Sequence, residues 1–316
     1  MLAYTLRRLW QFIPTLGGVV LLVFFVFNFV GGDPAYLLAG KIPNPETIAN
    51  IRRQLGVDEP YAVQLWIFVR QALTGDFGAS WSTNERVSEI FATRLGPSLT
   101  VLVPLLAIST VLGMAAAMLV AYVRGSITDR GLMIACTVGQ SISILVYILV
   151  FQYVFAYHLG WFPVQGWGVT FMDNLLRYAV LAIIVGVAVS LAPDIRLYRT
   201  FFLDEINQDY VRTARAKGLS ERRVMWVHVL RNAAIPITTV TGITIASLIA
   251  LSAVVERAFS LNGLGSALVN AAASKDFAVV QGISLVLVGA FVITNAVVDL
   301  LYAALDPRVA LGSRAE

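Results

Sequence analysis

The sequence is poor in charged residues and in the residue types that build catalytic and metal sites. Charged residues make up 13% of its 316 residues, against roughly 25% in soluble domains. Its one cysteine, Cys136, cannot form an internal disulfide and lies in an apolar run, as a packing residue would. The sequence has no Gly-x-x-x-x-Gly-Lys-Ser/Thr motif, and no Ser/His/Asp spacing suggests a hydrolase. These absences argue against a soluble enzyme.

Hydrophobic residues are abundant instead. They make up 58% of the chain, and the mean hydropathy is +0.77. A single soluble core cannot hide so much apolar surface, so the bilayer must act as solvent for much of the chain. The net charge of +4 then indicates basic loops of a membrane protein rather than a nucleic-acid-binding surface.

Uncharged runs predict the membrane spans. A span needs about 20 helical residues, and five runs meet this requirement: 9–32, 95–123, 131–172, 232–255 and 277–298. The first run is longer than the ~7–15 apolar residues of a signal peptide, so we interpret it as a retained span. We expect the third span to end near Tyr157. A sixth run, 178–193, would cover only ~24 Å before Asp194.

The placement of basic residues favours six spans. If 178–193 crosses the membrane, four basic groups share one side: 7–8, 124–130, 196–231 and 308–314. The short loops on the other side contain Arg177, Arg257 and Lys275. This bias predicts that both termini are cytoplasmic. His158 and His228 then lie on opposite sides of the membrane, so no metal site is expected.

Two long segments separate the spans. Residues 33–94 are predicted to lie outside, with one helix opened by Pro45 and ended by Gly56, and another opened by Pro60 and ended near Gly75. The second segment, 196–232, is predicted to be cytoplasmic.

The cytoplasmic segment predicts a helix, a sharp turn and a second helix. Gly218 stands where a helix C-cap is expected, and Ser220 caps the helix that follows. The small residues Ala214, Ala216 and Gly218 would let another surface approach closely, with a charged rim of Arg212, Arg215 and Lys217. Composition alone also allows a basic helix that lies on anionic lipid headgroups.

Residues 210–219 resemble the cytoplasmic motif of bacterial ABC importer permeases, in the dipeptide/oligopeptide branch. Their sequence is Tyr-Val-Arg-Thr-Ala-Arg-Ala-Lys-Gly-Leu. Arg212, Thr213 and Ala214 stand where the wider family has Glu-Ala-Ala, and Gly218 falls at the family's distance. Pro236 comes later than in the general pattern, as in the peptide branch. Further segments similar to the family occur in order: 6–9 with 13–15, 32–34, 55–60, 75–80, 256–260, 263–265, 298–302 and 305–308.

The resemblance implies an all-α polytopic protein of the bacterial cytoplasmic (inner) membrane, with six transmembrane helices in the type I ABC importer permease fold. It implies a second homologous permease subunit, two ATPase subunits that hold ATP and Mg, and an external substrate-binding protein. No cofactor is expected in this chain, and no nucleic acid. The implied domains are a first transmembrane helix at 1–32, an external subdomain at 33–94 and a five-helix core at 95–316 that includes the cytoplasmic coupling loop 196–232.

The resemblance also implies which residues couple the chain to the ATPase. The coupling helix is carried over onto Val211, Arg212, Thr213, Ala214, Arg215, Ala216, Lys217, Gly218 and Leu219. Separately, ionisable residues in or near spans usually face a cavity or a partner. We therefore interpret Asp194, Glu256 and Asp299 as structural pairing or gate residues, while the serines and threonines of the spans favour interhelical hydrogen bonds.

The leading hypothesis is thus a permease subunit that forms half of an ATP-driven pathway for di-/oligopeptides. Permeases of the same family for a nickel chelate, glutathione or haem are the alternative. A stand-alone secondary transporter would show an internal repeat and midplane charges, and the sequence shows no obvious repeat. An assembly or anchoring protein is a third hypothesis, which would leave the small-residue cytoplasmic helix without a purpose.

Overall fold

The structure is a computed structural model that describes residues 2–30, 35, 36, 39 and 44–305. The side chains of residues 2–9, 30, 246, 247, 249, 250 and 298–305 lie outside this description. Regular structure in the described residues is helical, apart from an isolated β-bridge between Ala79 and Arg86. The predicted all-α class is confirmed.

The principal helices of the described residues, in chain order, are α1 Leu2–Phe25, α2 Pro45–Leu55, α3 Tyr61–Thr74, α4 Val87–Tyr122, α5 Ile127–Ser141, α6 Ile144–Phe151, α7 Ala179–Ile206, α8 Asp209–Ala216, α9 Leu230–Ala258, α10 Leu264–Ala273 and α11 Phe277–Leu305. π-Helical segments extend α1 and α6 and precede α7 and α9, at Val26–Val30, Gln152–His158, Asn174–Tyr178 and Val224–Val229. The short helices Phe171–Asp173 and Glu221–Arg223 directly precede the π-helical segments that begin at Asn174 and Val224.

The spanning helices follow the predicted runs. Four helices of the described chain are long and apolar enough to cross a membrane: Trp10–Phe29, Val87–Tyr122, Phe171–Ile206 and Phe277–Val297. A bent pair of helices makes a fifth if it counts as one span. The run 232–255 lies in α9, which is 29 residues long but has four side chains outside the description. The count of six spans therefore stays a prediction.

The run 131–172 forms two helices rather than one straight span. Ile127–Ser141 and Ile144–His158 meet at 97°. The backbone is extended at Ile142 and Ser143, and the Ser143 hydroxyl accepts a hydrogen bond from the Leu145 N–H at 3.4 Å. A serine that caps a new helix explains the break at this point. The second helix ends at His158, close to the predicted end near Tyr157.

The run 178–193 is part of a longer helix, which supports the prediction that this segment can cross a membrane. The helix is 36 residues long, from Phe171 to Ile206, and continues through Pro193. Asp194 does not end it, because this side chain is buried within the chain. The first part of the predicted coupling loop 196–232 is consequently helix, and the turn between the helices begins at Asn207.

The two helices predicted in the external segment are confirmed. The Asn44 side chain accepts a hydrogen bond from the Glu46 N–H at 3.2 Å and caps α2. Gly56 and Gly75 follow α2 and α3 with φ of +67° and +68°. This left-handed conformation favours glycine, which explains why both helices end there.

The chain divides into two compact units. One comprises residues 1–97 and 262–296, and the other 98–261 and 297–316. The core of the first unit includes a contact between α1 and α3, where the Phe24 and Phe68 rings lie 5.9 Å apart. The predicted division into 1–32, 33–94 and 95–316 stays a prediction.

The second unit has two main clusters of buried apolar side chains. One joins α4, α6, α7 and α9 and includes Leu105, Leu181, Val185 and Phe259. The other joins α4, α7 and α9 to the short helix α8, with Tyr198 and Phe202 at its centre. This second cluster, which we call the α8 core, positions the candidate site.

Candidate functional site

The predicted coupling segment forms a short helix followed by a tight turn. Helix α8 runs over Asp209–Ala216, so it begins two residues before the predicted 211–219 and ends three residues earlier. Gly218 adopts φ of +79°, which ends the helix because other residues are strained there. Ser220 precedes the next helix with an extended backbone, as predicted, but its side chain makes no capping hydrogen bond.

One face of α8 packs against the chain itself. Val211 is fully buried and Ala214 is 5% exposed, and both lie in the α8 core with Phe202 and Val224. The small size of Ala214 therefore serves packing within this chain. The interpretation that Ala214 lets another surface approach is wrong, because its side chain is already covered.

The opposite face of α8 is exposed. It carries Arg212, Thr213, Arg215, Ala216 and Lys217. The Arg215 guanidinium donates to the two carboxylate oxygens of Glu221 at 2.7 and 3.2 Å, which ties the helix to the first turn after Ser220. This exposed face is the part of the predicted coupling segment that another protein could contact.

A tyrosine fixes the start of α8. The Tyr210 hydroxyl donates a hydrogen bond to the Glu205 carboxylate, at the end of α7. Burial, together with this bond and the negative charge of Glu205, raises the pKa of Tyr210 to about 12. The hydroxyl therefore stays protonated at physiological pH and can continue to donate.

The predicted gate or pairing residues belong to helices other than α8, namely α7, α9 and α11. Asp194 is 7% exposed, and Gly113 on α4 lies so close that an added methyl group would stand 3.2 Å from the Asp194 Cβ. Glu256 is 1% exposed and accepts a hydrogen bond from the Ser98 hydroxyl at 2.6 Å, which joins α9 to α4. The side chain of Asp299 lies outside the described residues. The gate role stays a prediction.

Sequence reasoning missed a partly buried ion pair between α5 and α7. Asp129 accepts two hydrogen bonds from the Arg199 guanidinium, both at 2.9 Å, and one from the Gly125 N–H at 2.9 Å. The two residues are 70 positions apart, so neither sequence spacing nor helix periodicity could have paired them. From the sequence, Arg199 was only one of the basic residues of 196–231. In the structure its side chain is paired with Asp129.

We expect the Asp129→Ala variant to lower the free energy of unfolding by about 1.5–3 kcal/mol, because it removes hydrogen bonds to a charged group and leaves Arg199 without its partner. Thermal unfolding of the purified chain in detergent measures this. The exchange of both charges, D129R with R199D, should not restore stability, because the Gly125 N–H would lose its acceptor.

The Arg215–Glu221 pair supplies the matched control. Its side chains are 38% and 43% exposed, against 21% and 6% for Arg199 and Asp129. Solvent-exposed pairs contribute about 0–1 kcal/mol, so Glu221→Gln should change the unfolding temperature little. Equal losses in D129A and E221Q would contradict a special role for the buried pair.

A second missed feature is the carboxylate of Asp276, just before α11. It accepts hydrogen bonds from the Ser80 hydroxyl at 2.5 Å, the Ser82 hydroxyl at 3.0 Å and the Ser82 N–H at 3.3 Å. Burial by itself would raise the pKa of Asp276, but the hydrogen bonds from Ser80, Trp81 and Ser82 lower it overall. The carboxylate therefore holds the segment around the 79–86 bridge against the start of α11.

Comparison with known proteins identifies the family. Residues 109–311 match the "Binding-protein-dependent transport system inner membrane component", and residues 1–102 match the N-terminal part of the same membrane components. The chain is 38% identical over 309 residues to the "Glutathione transport system permease protein GsiC" of Salmonella typhi, covering 98% of this chain and 99% of the relative.

The same permease from Shigella boydii serotype 4 (strain Sb227) and from Escherichia coli (strain K12) is 37% identical, with the same coverage. The resemblance noted in the sequence is thus confirmed, as is the assignment to a multi-pass protein of the inner membrane. The chain belongs to the inner-membrane permeases of binding-protein-dependent ABC importers, and it is a transport subunit rather than an enzyme.

Proposed function

We propose that this chain forms half of the translocation pathway of an ATP-driven importer for glutathione and related short peptides. The observation that carries this substrate is the 37–38% identity, over nearly the whole chain, to permeases named for glutathione transport. The comparisons support this alternative better than the di-/oligopeptide substrate that the sequence of residues 210–219 favoured. Permeation of a nickel chelate or haem has no specific observation in its favour.

The proposed pathway is completed by other subunits. A second homologous permease supplies the other half, two ATPase subunits bind ATP and Mg and hydrolyse ATP, and an external binding protein delivers the substrate. In the proposed topology of six spans with both termini in the cytoplasm, α8 lies on the side of the ATPase. The basic residues of 196–231 support this orientation.

The exposed face of α8 is the proposed contact with the ATPase. Its buried face is anchored in the α8 core, and Arg215 is held by Glu221 across the turn. A short helix fixed in this way moves with the spans α7 and α9 that flank it, so a push from the ATPase would reach the bundle as a rigid-body displacement. Asp194, Glu256 and Asp299 are proposed as pairing or gate residues of the bundle that responds.

Deletion of this chain from its native host should abolish ATP-dependent uptake of labelled glutathione, and expression of the intact chain should restore it. Excess unlabelled glutathione should compete with the label, while simple dipeptides should compete weakly. Uptake is measured in intact cells with and without depletion of ATP.

Two outcomes separate the parts of this proposal. If labelled dipeptide uptake is lost in the deletion strain while glutathione uptake is normal, the substrate is wrong but the permease role stands. Reconstitution of the isolated chain in liposomes tests the rival hypothesis of a secondary transporter. Ion-driven glutathione uptake without ATPase subunits would overturn the proposed mechanism.

A further inference from the structure

The helix that follows α8 carries an exposed stripe of basic and aromatic side chains. From Glu221 to Ala258 the chain is helical without a break. Its first turns bury Val224, Met225 and Val229 in the α8 core. The opposite side is exposed, and we call it the basic–aromatic stripe: Arg222, Arg223, Trp226, Val227 and Arg231.

The arginines of the stripe have no ion-pair partner and no side-chain hydrogen bond in the part of the chain that the structure describes. Arg199 is held by Asp129, and Arg196 donates to the Gln140 side chain at 2.7 Å. The acid nearest in sequence to the stripe, Glu221, is engaged by Arg215. The stripe therefore presents uncompensated positive charge.

The stripe also contains a recess and an apolar surface beside the charges. Ser220, Arg222, Arg223 and Trp226 line an open cavity of about 490 Å³. Trp226 is 55% exposed and the adjacent Val227 is 51% exposed. The neighbouring Ser220, Arg222 and Arg223 carry a hydroxyl and two guanidinium groups, which suit a phosphate group, and the exposed Trp226 and Val227 suit the apolar part of a lipid.

The position along the helix places the stripe at the membrane surface. The uncharged run of this helix begins at Asn232, six residues after Trp226. At a rise of 1.5 Å per residue, Trp226 lies about 9 Å along the helix from that point, and Arg222 about 15 Å. The headgroup region extends roughly 5–8 Å beyond the hydrocarbon on each side. Trp226 therefore lies at its outer edge and Arg222 lies beyond it, from where the long arginine side chain can reach back toward the headgroups. Tryptophan is enriched at membrane–water interfaces.

We propose that the basic–aromatic stripe binds the headgroup phosphate of an anionic phospholipid of the cytoplasmic leaflet. Arg222 and Arg223 contact the phosphate, and Trp226 and Val227 pack against the upper part of the lipid. The site goes beyond the proposed function and does not depend on the substrate. Because the stripe and α8 are joined through the turn at Gly218, a bound lipid would hold the base of the helix beside the proposed ATPase contact.

Lipid binding by the purified full-length chain tests this site. The delipidated chain in a neutral detergent is titrated with phosphatidylglycerol or phosphatidylcholine, and bound lipid is counted by native mass spectrometry. A surface arginine near an anionic membrane contributes about fivefold in affinity. We expect R222Q/R223Q to weaken phosphatidylglycerol binding at least about tenfold, while R222K/R223K retains most of it.

The matched control is R124Q/R130Q, which removes the same charge from two exposed arginines of the other short loop predicted on the cytoplasmic side. It should weaken phosphatidylglycerol binding clearly less than R222Q/R223Q does, and circular dichroism checks that each variant is folded. Equal affinity of the intact chain for both lipids would overturn the proposal, as would unchanged binding in R222Q/R223Q. Loss of ATPase co-purification in R222Q/R223Q with unchanged lipid affinity would assign the stripe to the ATPase instead.

Discussion

The Ala216→Trp variant is expected to abolish most substrate uptake while the chain still inserts in the membrane in normal amounts. Ala216 lies on the exposed face of α8, so a large side chain there does not disturb the α8 core. It would clash with a protein that packs against this face, at a cost of about 1–3 kcal/mol. This corresponds to an association about five- to 150-fold weaker. Co-purification of the ATPase with the tagged chain, and uptake in cells, measure the effect.

The structure makes Ala216 a better position for this experiment than Ala214. From the sequence, Ala214 is as good a target as Ala216, but Ala214 is buried against this chain, so a bulky residue there would damage folding as well as coupling. Ala272→Trp is the matched control, because it makes the same change at an exposed helical residue predicted to lie outside. Normal ATPase association in A216W would contradict the proposed coupling surface.

Substitution of Gly186 by alanine is expected to lower the free energy of unfolding by about 1–3 kcal/mol, and by leucine to prevent stable folding. A Cβ atom at Gly186 would stand 2.1 Å from the Leu105 Cδ1 and 3.0 Å from its Cγ. Leu105 is 2% exposed, in the cluster that joins α4 to α7. The side chain therefore has little room to move aside. The unfolding temperature in detergent reports the loss.

Gly131 on α5 provides the control, because a Cβ there would meet nothing within 4 Å. Alanine favours a helix over glycine by about 1 kcal/mol, so Gly131→Ala should be neutral or stabilising. The Leu105→Ala change should offset part of the loss in Gly186→Ala, since both act on the same contact. A strictly additive double variant, or an unchanged unfolding temperature in G186A, would contradict this close approach of α4 and α7.

The sequence was most informative where a local pattern has one physical meaning. Gly56 and Gly75 end their helices because the left-handed backbone favours glycine, and the predicted helices of the external segment have the observed bounds within one residue. The extended backbone at Ile142 and Ser143 was missed, because an apolar run looks the same whether the helix in it is straight or bent. The run 178–193 was predicted too short because Asp194 was taken as a boundary, whereas an ionisable residue that faces the protein interior does not interrupt a spanning helix.

Thus the sequence by itself determined that the chain is an all-α membrane protein, which runs can span, and where the candidate coupling segment lies. Hydrophobic runs and glycine positions carry that information locally. The tertiary structure alone decided which face of α8 is free, that Asp129 holds Arg199, and that Gly186 meets Leu105. These are contacts between side chains far apart in sequence. Their energies depend on atomic distances and burial, which residue types and spacing do not specify.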